Sequence, residues 1–243
     1  MQELIDNLGL EASSKIGKKL FKKQFIENFS LSVADKKILT NDIESITLEY
    51  LLNKSTINIA PYIDAEQDYS EIAFIKVEVL NQNKLRQIVN IVQNIPYPLI
   101  IFLTSGTKLC INISPKRINK ADSSKLVVEE SFLTEWIDLS NSTKIQNDFL
   151  ESLKAKHHPF TDLLSFYRSY LDKLIAFNAS KYSGSLNTHE QSRKLLQEIQ
   201  KLEVKIAEIK GKIKKESNFS NKVNMNIELK NLSDELEKLK GSL

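Results

Sequence analysis

Two apolar series near the end of the chain constrain its fold more than any other feature. They advance in steps of three and four residues, which is the repeat of a coiled-coil seam. The first is Leu195, Ile199, Leu202, Ile206, Ile209 and Ile213, and the second is Met225, Leu229, Leu232, Leu236, Leu239 and Leu243. The two series are out of frame, and residues 217–221 between them are rich in Ser and Asn. Because these side chains compete for backbone hydrogen bonds and favour turns, the sequence predicts a helical hairpin.

Folding the segment back about Phe219 brings the two series into one antiparallel register. Every core position then faces a core position, from Ile213 opposite Met225 to Leu195 opposite Leu243. The flanking ion pairs predicted by this register are Lys212 with Glu228 and Lys205 with Glu235. A parallel homodimer through the first series would place like charges together, which disfavours it. One continuous helix with a frame shift remains the alternative.

The sequence also predicts where the hairpin begins. Thr188 and Gln191 have the spacing of a capping box, and the polar stretch before them contains Gly184. We therefore predict a globular domain at residues 1–178, a linker at 179–187 and the coiled-coil hairpin at 188–243.

The pattern before the hairpin predicts a globular α/β domain with a mixed sheet. Three- and four-residue apolar steps over 16–29 predict a helix, and a period of two from Ile43 predicts a strand at 43–52. Further strands are predicted at 56–60, 71–80, 98–104, 108–114, 126–130 and 132–139, a polar loop at 61–68, and helices at 83–93, 145–153 and 160–175. The order of the first elements resembles the core of restriction-endonuclease-like folds.

That likeness raises the alternative of a metal-dependent nuclease. Such enzymes hold metal and activate water with an acid near the second strand and an acid-x-Lys pair on the third. Here Lys76 and Glu78 share one face of the third strand, but in the reverse order, and Asp64 and Asp68 precede them. The other interpretation of the same residues is a partly exposed strand face with an internal Lys–Glu contact.

Two basic stretches raise the further alternative of a sequence-independent DNA-binding module. Phosphate contacts require positive charge and no sequence reading. The candidate contact residues are Lys15, Lys18, Lys19, Lys22, Lys23, Lys116, Arg117 and Lys120. The net charge is only +3, so overall charge does not argue for a nucleic-acid partner, and a lysine-rich face is commonly just solvated.

No other motif predicts a cofactor or a metal. The single cysteine, Cys110, lies in an apolar run and is predicted to be a small buried hydrophobe. His157 and His158 lack the spacing of a helical metal pair and are predicted to suit the end of a helix as cations. Residues 105–108 lack the glycines of a phosphate loop and predict a hairpin turn. Apolar runs are too short for a membrane and no signal peptide is evident, so we expect a cytoplasmic protein.

Several stretches together resemble a bacterial family of unknown function. They are TINIAPYIDAEQDYSEIAFIKVEV, IPYPLIIFL, SPKR, EESFLTEW and KKESNFSNKVNMNIELKNL. Members of that family are similar in length and are often encoded beside helicases and DNA methyltransferases in restriction-like or phage-defence clusters. The resemblance implies a setting and partners, but no catalytic residues.

The expected function is therefore a non-catalytic accessory subunit of a DNA-targeting defence complex. A two-helix hairpin leaves one side of its seam poorly covered, so it is expected to dock on another surface. The expected partner is a helicase or a DNA methyltransferase, with self-association as the alternative.

Overall fold

A computed structural model describes residues 2–184, 186 and 190–243. Its contacts divide the chain into two units, Met1–Leu174 and Ile175–Leu243, which we call the body and the arm. Among the helices in the described part of the chain, none is long and apolar enough to cross a membrane.

The strands of the described residues all lie in the body, and the last helices lie in the arm. The strands are β1 Lys15–Lys19, β2 Ile43–Asn53, β3 Tyr62–Ile63, β4 Asp68–Tyr69, β5 Glu71–Val79, β6 Leu99–Ser105, β7 Lys108–Ile113, β8 Lys116–Asn119, β9 Asp122–Val128, β10 Phe132–Leu133 and β11 Ile137–Asp138. The helices are α1 Gln2–Asp6, α2 Lys22–Asn28, α3 Val33–Asn41, α4 Leu85–Val92, α5 Lys144–Ser152, α6 Leu163–Ser183, α7 Glu190–Lys215 and α8 Phe219–Lys240.

Seven strands form one mixed sheet in the order β1-β2-β5-β6-β7-β10, with β11 also paired to β7. Only β5 and β6 run parallel, and α4 connects them, as a parallel pair requires a crossover. Two small antiparallel hairpins, β3–β4 and β8–β9, lie outside this sheet. The prediction of a mixed α/β domain followed by packed C-terminal helices is thus confirmed.

Strand β5 shows why the sheet is covered on both faces. Its alternate residues Ala73, Ile75, Val77 and Val79 are buried in one apolar cluster. Helices α2, α3 and α4 contribute to this cluster through Phe25, Leu39 and Ile88, among others. The predicted apolar face of β5 therefore lies at the centre of one hydrophobic core, packed against these helices.

The opposite face of β5 packs an aromatic cluster centred on Phe74. Its ring stacks on Phe102 of β6 and meets Tyr50 and Tyr170 edge-on, with ring centroids 6.3, 6.2 and 5.7 Å away. The Tyr170 hydroxyl donates a hydrogen bond of 2.7 Å to the carbonyl of Leu153, so the phenol is satisfied although it is buried. Helix α6 thus closes the second layer over the sheet.

The predicted helix at 16–29 is wrong. Residues Lys15–Lys19 form the exposed edge strand β1, and only Lys22–Asn28 is helical. Gly17 lies in the left-handed region at φ 60°, within a bulge of the pairing between β1 and β2. A glycine there favours such a bulge and disfavours helix, because it lacks the steric penalty of a Cβ and is a poor helix former.

The predicted strand at 56–60 is also wrong. Ile57 and Ile59 are buried, as alternation predicted, but no ladder forms, and only Ala60 makes an isolated bridge, to Asp162. The backbone N–H groups of Thr56 and Ile57 instead donate to the carbonyl of Asn53 in a turn. The polar loop at 61–68 contains the short hairpin β3–β4, and the sequence did not predict β8.

The finer prediction of a restriction-endonuclease-like core is not confirmed. The first part of the first predicted helix is an edge strand, and the three predicted strands before α4 become two long strands with a small hairpin between them. The other long elements, β2, β5, α4, β6 and β7, lie within a few residues of their predicted bounds.

In the arm, α7 and α8 pack against each other after a three-residue connection at 216–218. Eight seam residues cluster, with three of them buried and five partly buried, and these are Ile206, Ile209, Leu232, Leu202, Ile213, Met225, Leu229 and Leu236. The side chain of Asn218 caps α8 by accepting from the N–H of Asn221 at 3.1 Å. The connection reverses the chain, so the packed pair is an antiparallel hairpin.

The charges that flank the seam pair differently from the prediction. Lys205 lies 3.6 Å from Glu228 rather than near Glu235, and Lys240 lies 3.0 Å from Glu203. Part of the predicted linker, residues 179–183, is helical as the end of α6. The predicted capping box lies outside the residues whose side chains are described.

Candidate functional site

The predicted nuclease pair, Lys76 and Glu78, lies in a network of charged groups on the sheet. The Lys76 ammonium is 3.4 Å from Glu78, 3.7 Å from Glu49 and 3.0 Å from the amide oxygen of Gln2. The hydroxyl of Ser45 donates to Glu78 at 2.5 Å and lowers the pKa of that carboxyl. The internal Lys–Glu contact is therefore present.

Sequence reasoning missed Glu49, whose carboxylate is the buried member of this network, with 3% of the residue exposed. The residue lies where the register between β2 and β5 shifts, between Leu48 and Tyr50. A bulge re-aims a side chain, so a residue that simple alternation would direct elsewhere can face Lys76. Glu49 also accepts from the Gln2 amide at 3.2 Å, which ties α1 to the sheet.

The two predicted acids before β5 lie elsewhere. Asp64 accepts from the Tyr62 hydroxyl at 2.8 Å and from two backbone N–H groups of its own turn, which lower the pKa of its carboxyl. Asp68 accepts from the N–H of Ser70 at 3.0 Å. Both precede the first residue of β5, whereas Lys76 is five residues along that strand, about 17 Å at the usual rise.

The structure therefore brings Lys76 and Glu78 together and leaves Asp64 and Asp68 at the other end of the strand. Within residues 2–184, 186 and 190–243, no group of three or more His, Cys, Asp or Glu side chains is placed to hold a metal ion. The nuclease interpretation stays a prediction, because its four residues are not grouped around one point where a metal ion could bind.

The first basic stretch is divided between β1 and α2. Lys15 pairs with Asp6 at 2.8 Å and Lys23 pairs with Glu27 at 3.5 Å, both near the surface. Lys22 donates to the carbonyls of Thr40 and Ile43, so its ammonium helps to close the end of α3. The two remaining lysines, Lys18 and Lys19, are exposed on the edge strand.

In the second stretch, Lys116, a predicted nucleic-acid contact, is buried rather than at the surface where such a contact would be made, with only 1% of the residue exposed. Its ammonium donates to the carbonyls of Gln93 and Ile95, at 2.8 and 2.6 Å, just beyond the end of α4. Burial lowers the pKa of this ammonium to about 7. The carbonyls at a helix end are electronegative, which explains how a lysine without a carboxylate partner is held there.

The neighbours of Lys116 differ from it. Arg117 is half-buried, lies 3.9 Å from Glu129 and donates to the carbonyl of Ile118. Lys120 is exposed at the turn of the β8–β9 hairpin. The structure does not gather the predicted basic residues into one described cluster.

His158 is buried, not a cation at a helix end. Its ring stacks on Tyr170 with centroids 3.7 Å apart, and its Nδ1 lies 3.0 Å from the Ser169 hydroxyl. Burial, with the nearby Lys173, lowers the pKa of the imidazole to about 3, so it is neutral near pH 7. His157 is half-exposed, 4.0 Å from Glu151.

Cys110 is the buried hydrophobe that the sequence predicted. Its thiol donates to the carbonyl of Thr134 at 3.0 Å, and burial raises the pKa of the thiol to about 12. A thiol needs a depressed pKa and access to substrate to act as a nucleophile, and Cys110 has neither.

The feature that sequence reasoning missed in the arm is an apolar stripe on the outer face of α8. Phe219, Val223 and Ile227 follow one another at four-residue steps and are 80%, 41% and 56% exposed. Met225 of the seam lies two residues from both Val223 and Ile227, and two helical residues are about 200° apart. We call these three residues the outer stripe, because they point away from the seam.

The turn end of the arm is also basic. Residues 210–222 contain five lysines and one acid, Glu216. The carboxylate of Glu216 is engaged by the backbone N–H groups of Ser217 and Asn218, at 2.8 Å each. The outer stripe therefore begins in a positively charged environment. The signal was available in the sequence as a second four-residue period, which the coiled-coil seam obscured.

Comparison with known proteins identifies one family. The family described as Domain of unknown function (DUF4391) matches residues 8–236, and so nearly the whole of both units. No curated protein and no solved structure matches the chain. Since the match extends from before β1 into α8, the chain belongs to the family Domain of unknown function (DUF4391).

Proposed function

We propose that this protein is a non-catalytic assembly subunit that docks a partner protein through the outer stripe of α8. The observation that carries the proposal is the exposure of Phe219, Val223 and Ile227 in one row on helix α8. Helix-in-groove recognition uses such rows, with anchors repeated every three or four residues.

The seam and the outer stripe have different roles in this proposal. The seam residues Ile206, Ile209 and Leu232 pack α7 against α8 and are 8%, 5% and 8% exposed, so little of their surface remains for a partner. The side chains of the outer stripe remain largely exposed in the free protein. Because burial of apolar surface is favourable by about 25 cal/mol per Å², covering them with a partner would stabilise a complex. An aromatic anchor such as Phe219 is typical of residues that dominate interface energies.

The charge of the turn end favours an acidic partner surface. Five lysines within residues 210–222 would repel the same segment of a second copy brought against it. The partner face is therefore inferred to be apolar at its centre with carboxylates at its rim. The family resemblance noted from the sequence adds the setting, a DNA-targeting defence complex with a helicase or DNA methyltransferase as partner.

The test replaces the outer stripe and measures binding to such a partner. A triple variant, Phe219→Gln, Val223→Gln and Ile227→Gln, keeps the charge and leaves the seam intact. The matched control is Val204→Gln, because Val204 is an apolar α7 residue with similar exposure, 38%. Loss of a well-packed anchor costs on the order of 2 kcal/mol, so we expect the triple variant to bind at least tenfold more weakly.

The control should bind as the wild type does. The proposal fails if the triple variant and the wild type bind the helicase or methyltransferase equally, or if neither protein binds at all. Salt-sensitive binding of duplex DNA that survives in the triple variant would instead favour the DNA-binding alternative, since phosphate contacts depend on ionic strength.

A further inference from the structure

One face of the main sheet becomes accessible towards the end of β5. On this face Phe74 of β5 is completely buried, with Tyr170 of α6 packed against its ring. Further along the same side of the strand, Lys76 keeps 15% of its side chain exposed and Glu78 keeps 41%. The face is therefore covered at Phe74 and open to solvent at Glu78.

The strand register aligns side chains of β1, β2 and β5 across this part of the sheet. Lys19 is opposite Thr47, and Thr47 is in turn opposite Lys76. Ser45 is opposite Glu78, and its hydroxyl donates to that carboxylate. Directly paired residues project to the same side of a sheet, so all five side chains share this surface, which we call the open face.

Phe21 extends the open face beyond the last residue of β1. The N–H of Leu20 donates to the carbonyl of Ile46 at 2.8 Å, so the pairing with β2 continues past Lys19. Phe21 is extended, with φ −80° and ψ 133°, and the side chain of Leu20 packs into the apolar cluster on the other face of the sheet. Since side chains alternate along an extended chain, the Phe21 ring lies on the open face, level with Ser45.

The Phe21 ring is available for contact with a ligand, because 60% of the residue is exposed. An exposed aromatic ring offers a nucleobase a surface on which to stack, and every base has a face that can use it. Aromatic side chains on an exposed sheet surface are one of the ways in which proteins bind unpaired bases. The ring therefore points to a ligand with a flat, accessible face.

Positive charge lies at the rim of the open face, along the edge strand. Lys18 and Lys19 are both exposed on β1. Lys23, near the start of α2, is 3.5 Å from Glu27 and keeps 82% of its side chain exposed. Neighbouring residues of a strand project to opposite sides, so Lys18 and Lys19 flank the edge itself. Such an edge can follow a phosphate backbone, whose contacts require positive charge alone.

Further from the edge, the open face carries a negatively charged acceptor. The hydrogen bond from Ser45 and, to a smaller degree, the charges of Lys76 and Lys19 lower the pKa of the Glu78 carboxyl, so it is ionised near pH 7. A carboxylate accepts hydrogen bonds from the exocyclic amino group of a base such as cytosine. The open face thus separates cations at its rim from an acceptor inside it.

We propose that the open face binds single-stranded nucleic acid, with one base stacked on Phe21 and the adjoining phosphates on Lys18 and Lys19. The edge of a neighbouring or stacked base that carries an amino group donates to Glu78. The inference goes beyond the docking role proposed for the arm, because it uses residues of the body alone.

Other charged ligands fit the open face less well. The carboxylates of an acidic peptide are attracted by the lysines at the rim, but they meet the like charge of Glu78 further in. Nucleic acid keeps its charge on the backbone and presents uncharged bases, which matches the separation on this face. Duplex DNA also presents phosphates, but its bases are stacked on one another and leave no face for Phe21.

The test measures the fluorescence anisotropy of labelled ligands titrated with the full-length protein. A twelve-nucleotide single strand of mixed sequence is prepared as DNA and as RNA. The comparison ligands are the same DNA as a duplex and a twelve-residue peptide of alternating Glu and Ser. We expect at least one of the two single strands to bind about fivefold more tightly than the duplex and the peptide, because only single strands can stack on Phe21.

Variants at Phe21 test whether a base stacks there, and its exposure makes both variants compatible with the fold. Phe21→Leu keeps an apolar side chain but removes the ring, so we expect it to bind the single strand about tenfold more weakly. Phe21→Trp keeps a ring and should bind as the wild type does, and the strand should quench its added fluorescence. The wild type, whose one tryptophan is Trp136, supplies the baseline.

A lysine variant tests the phosphate contact at the rim. Lys19→Gln should bind the strand more weakly and should reduce the slope of log affinity against log salt by about 0.7, the loss expected for one phosphate contact. The matched control is Lys37→Gln, which removes an exposed lysine from α3, a helix that packs on the other face of the sheet. The control should bind as the wild type does.

The inference is overturned if neither single strand binds, or if the duplex binds as tightly as both of them. It is also overturned if Phe21→Leu binds the strand like the wild type, or if the acidic peptide binds more tightly than either strand. The outer-stripe triple variant should bind the strand unchanged, and Phe21→Leu should bind the protein partner unchanged. A failure of this inference is therefore distinguishable from a failure of the proposed function.

Discussion

The body and the arm bury their apolar residues to different degrees. In the body, sheet residues such as Phe74, Ile75 and Phe102 are completely buried between two layers. In the arm, Ile199 of the seam is 2% exposed and Ile206, Ile209 and Leu232 keep 5–8%, while Phe219 and Ile227 of α8 are more than half exposed. The sheet of the body is thus enclosed on both faces, whereas α8 of the arm carries a row of exposed apolar residues beyond those that its own packing uses.

The polar groups of the body are also more deeply buried than those of the arm. The body buries Lys116, Asn112 and Glu49 and gives each of them hydrogen-bond or ionic partners. The ion pairs of the arm, such as Lys205 with Glu228, lie at its surface, where such pairs contribute little. Changes in the two units are therefore expected to have different effects on stability and on binding.

The largest effect on stability is expected from Phe74→Ala in the body. The ring is buried among Tyr50, Phe102 and Tyr170, and such truncations cost about 3–5 kcal/mol through lost burial and the cavity left behind. Urea denaturation of the wild type and the variant measures the difference. A loss below about 1 kcal/mol would show that the aromatic layer is not a close-packed core.

A smaller effect is expected from Leu232→Ala in the arm. A full leucine truncation costs about 2–5 kcal/mol, and a site on a two-helix seam can relax, so we expect the lower end of that range. The register itself is tested by cysteines placed at 206 and 232 in a Cys110→Ser background. They should cross-link within one chain, and links formed only between chains would contradict the hairpin.

The buried ammonium of Lys116 predicts how the stability of the body depends on pH. Its pKa is about 7 in the folded chain and close to 10.5 in the unfolded chain. Above pH 7 the folded chain releases a proton that the unfolded chain keeps, so the free energy of unfolding rises with pH, by up to about 1.4 kcal/mol per unit.

The measurement is the thermal transition at pH 7, 7.5 and 8, a window that ends below the usual pKa of a thiol, above which the raised pKa of Cys110 in the folded chain makes stability fall with pH. Lys116→Met keeps most of the buried volume and should remove the rise. An equally steep rise in Lys116→Met would assign the pH dependence to another group.

The smallest effect on stability is expected from the outer stripe. Val223→Gln changes an exposed position that packs on nothing within the described arm cluster, so unfolding should shift by less than about 0.5 kcal/mol. Partner binding should nevertheless weaken. A large loss of stability in this variant would mean that the stripe is structural.

Some elements could be predicted from the sequence and others could not, and the reason is how far each is buried. Strand β5 and helix α4 were predicted because burial on the sheet imposes a strict period on their residues. Strand β1 was missed because all five of its residues are exposed, so no such period is imposed. The helical spacing of α2, Lys22–Asn28, was then extended back to Ile16, although Gly17 was a signal against a helix.

The candidate sites were harder still. The burial of Lys116 depends on the carbonyls after α4, which are brought to it by the fold and leave no trace near residue 116. The network of Lys76 was half predicted, because Glu78 is a near neighbour in sequence whereas Glu49 reaches it through a bulge. The seam was predicted because it is periodic, and the outer stripe was overlooked because it shares the same helix.

The most direct test of the account is the binding of the helicase or methyltransferase partner by a protein that lacks residues 188–243. The body is expected to keep a cooperative thermal transition without the arm, because its two cores are formed by its own helices and sheet. We predict that this folded, shortened protein no longer binds the partner measurably. Retention of binding at the affinity of the full chain would place the docking surface in the body and contradict the central claim.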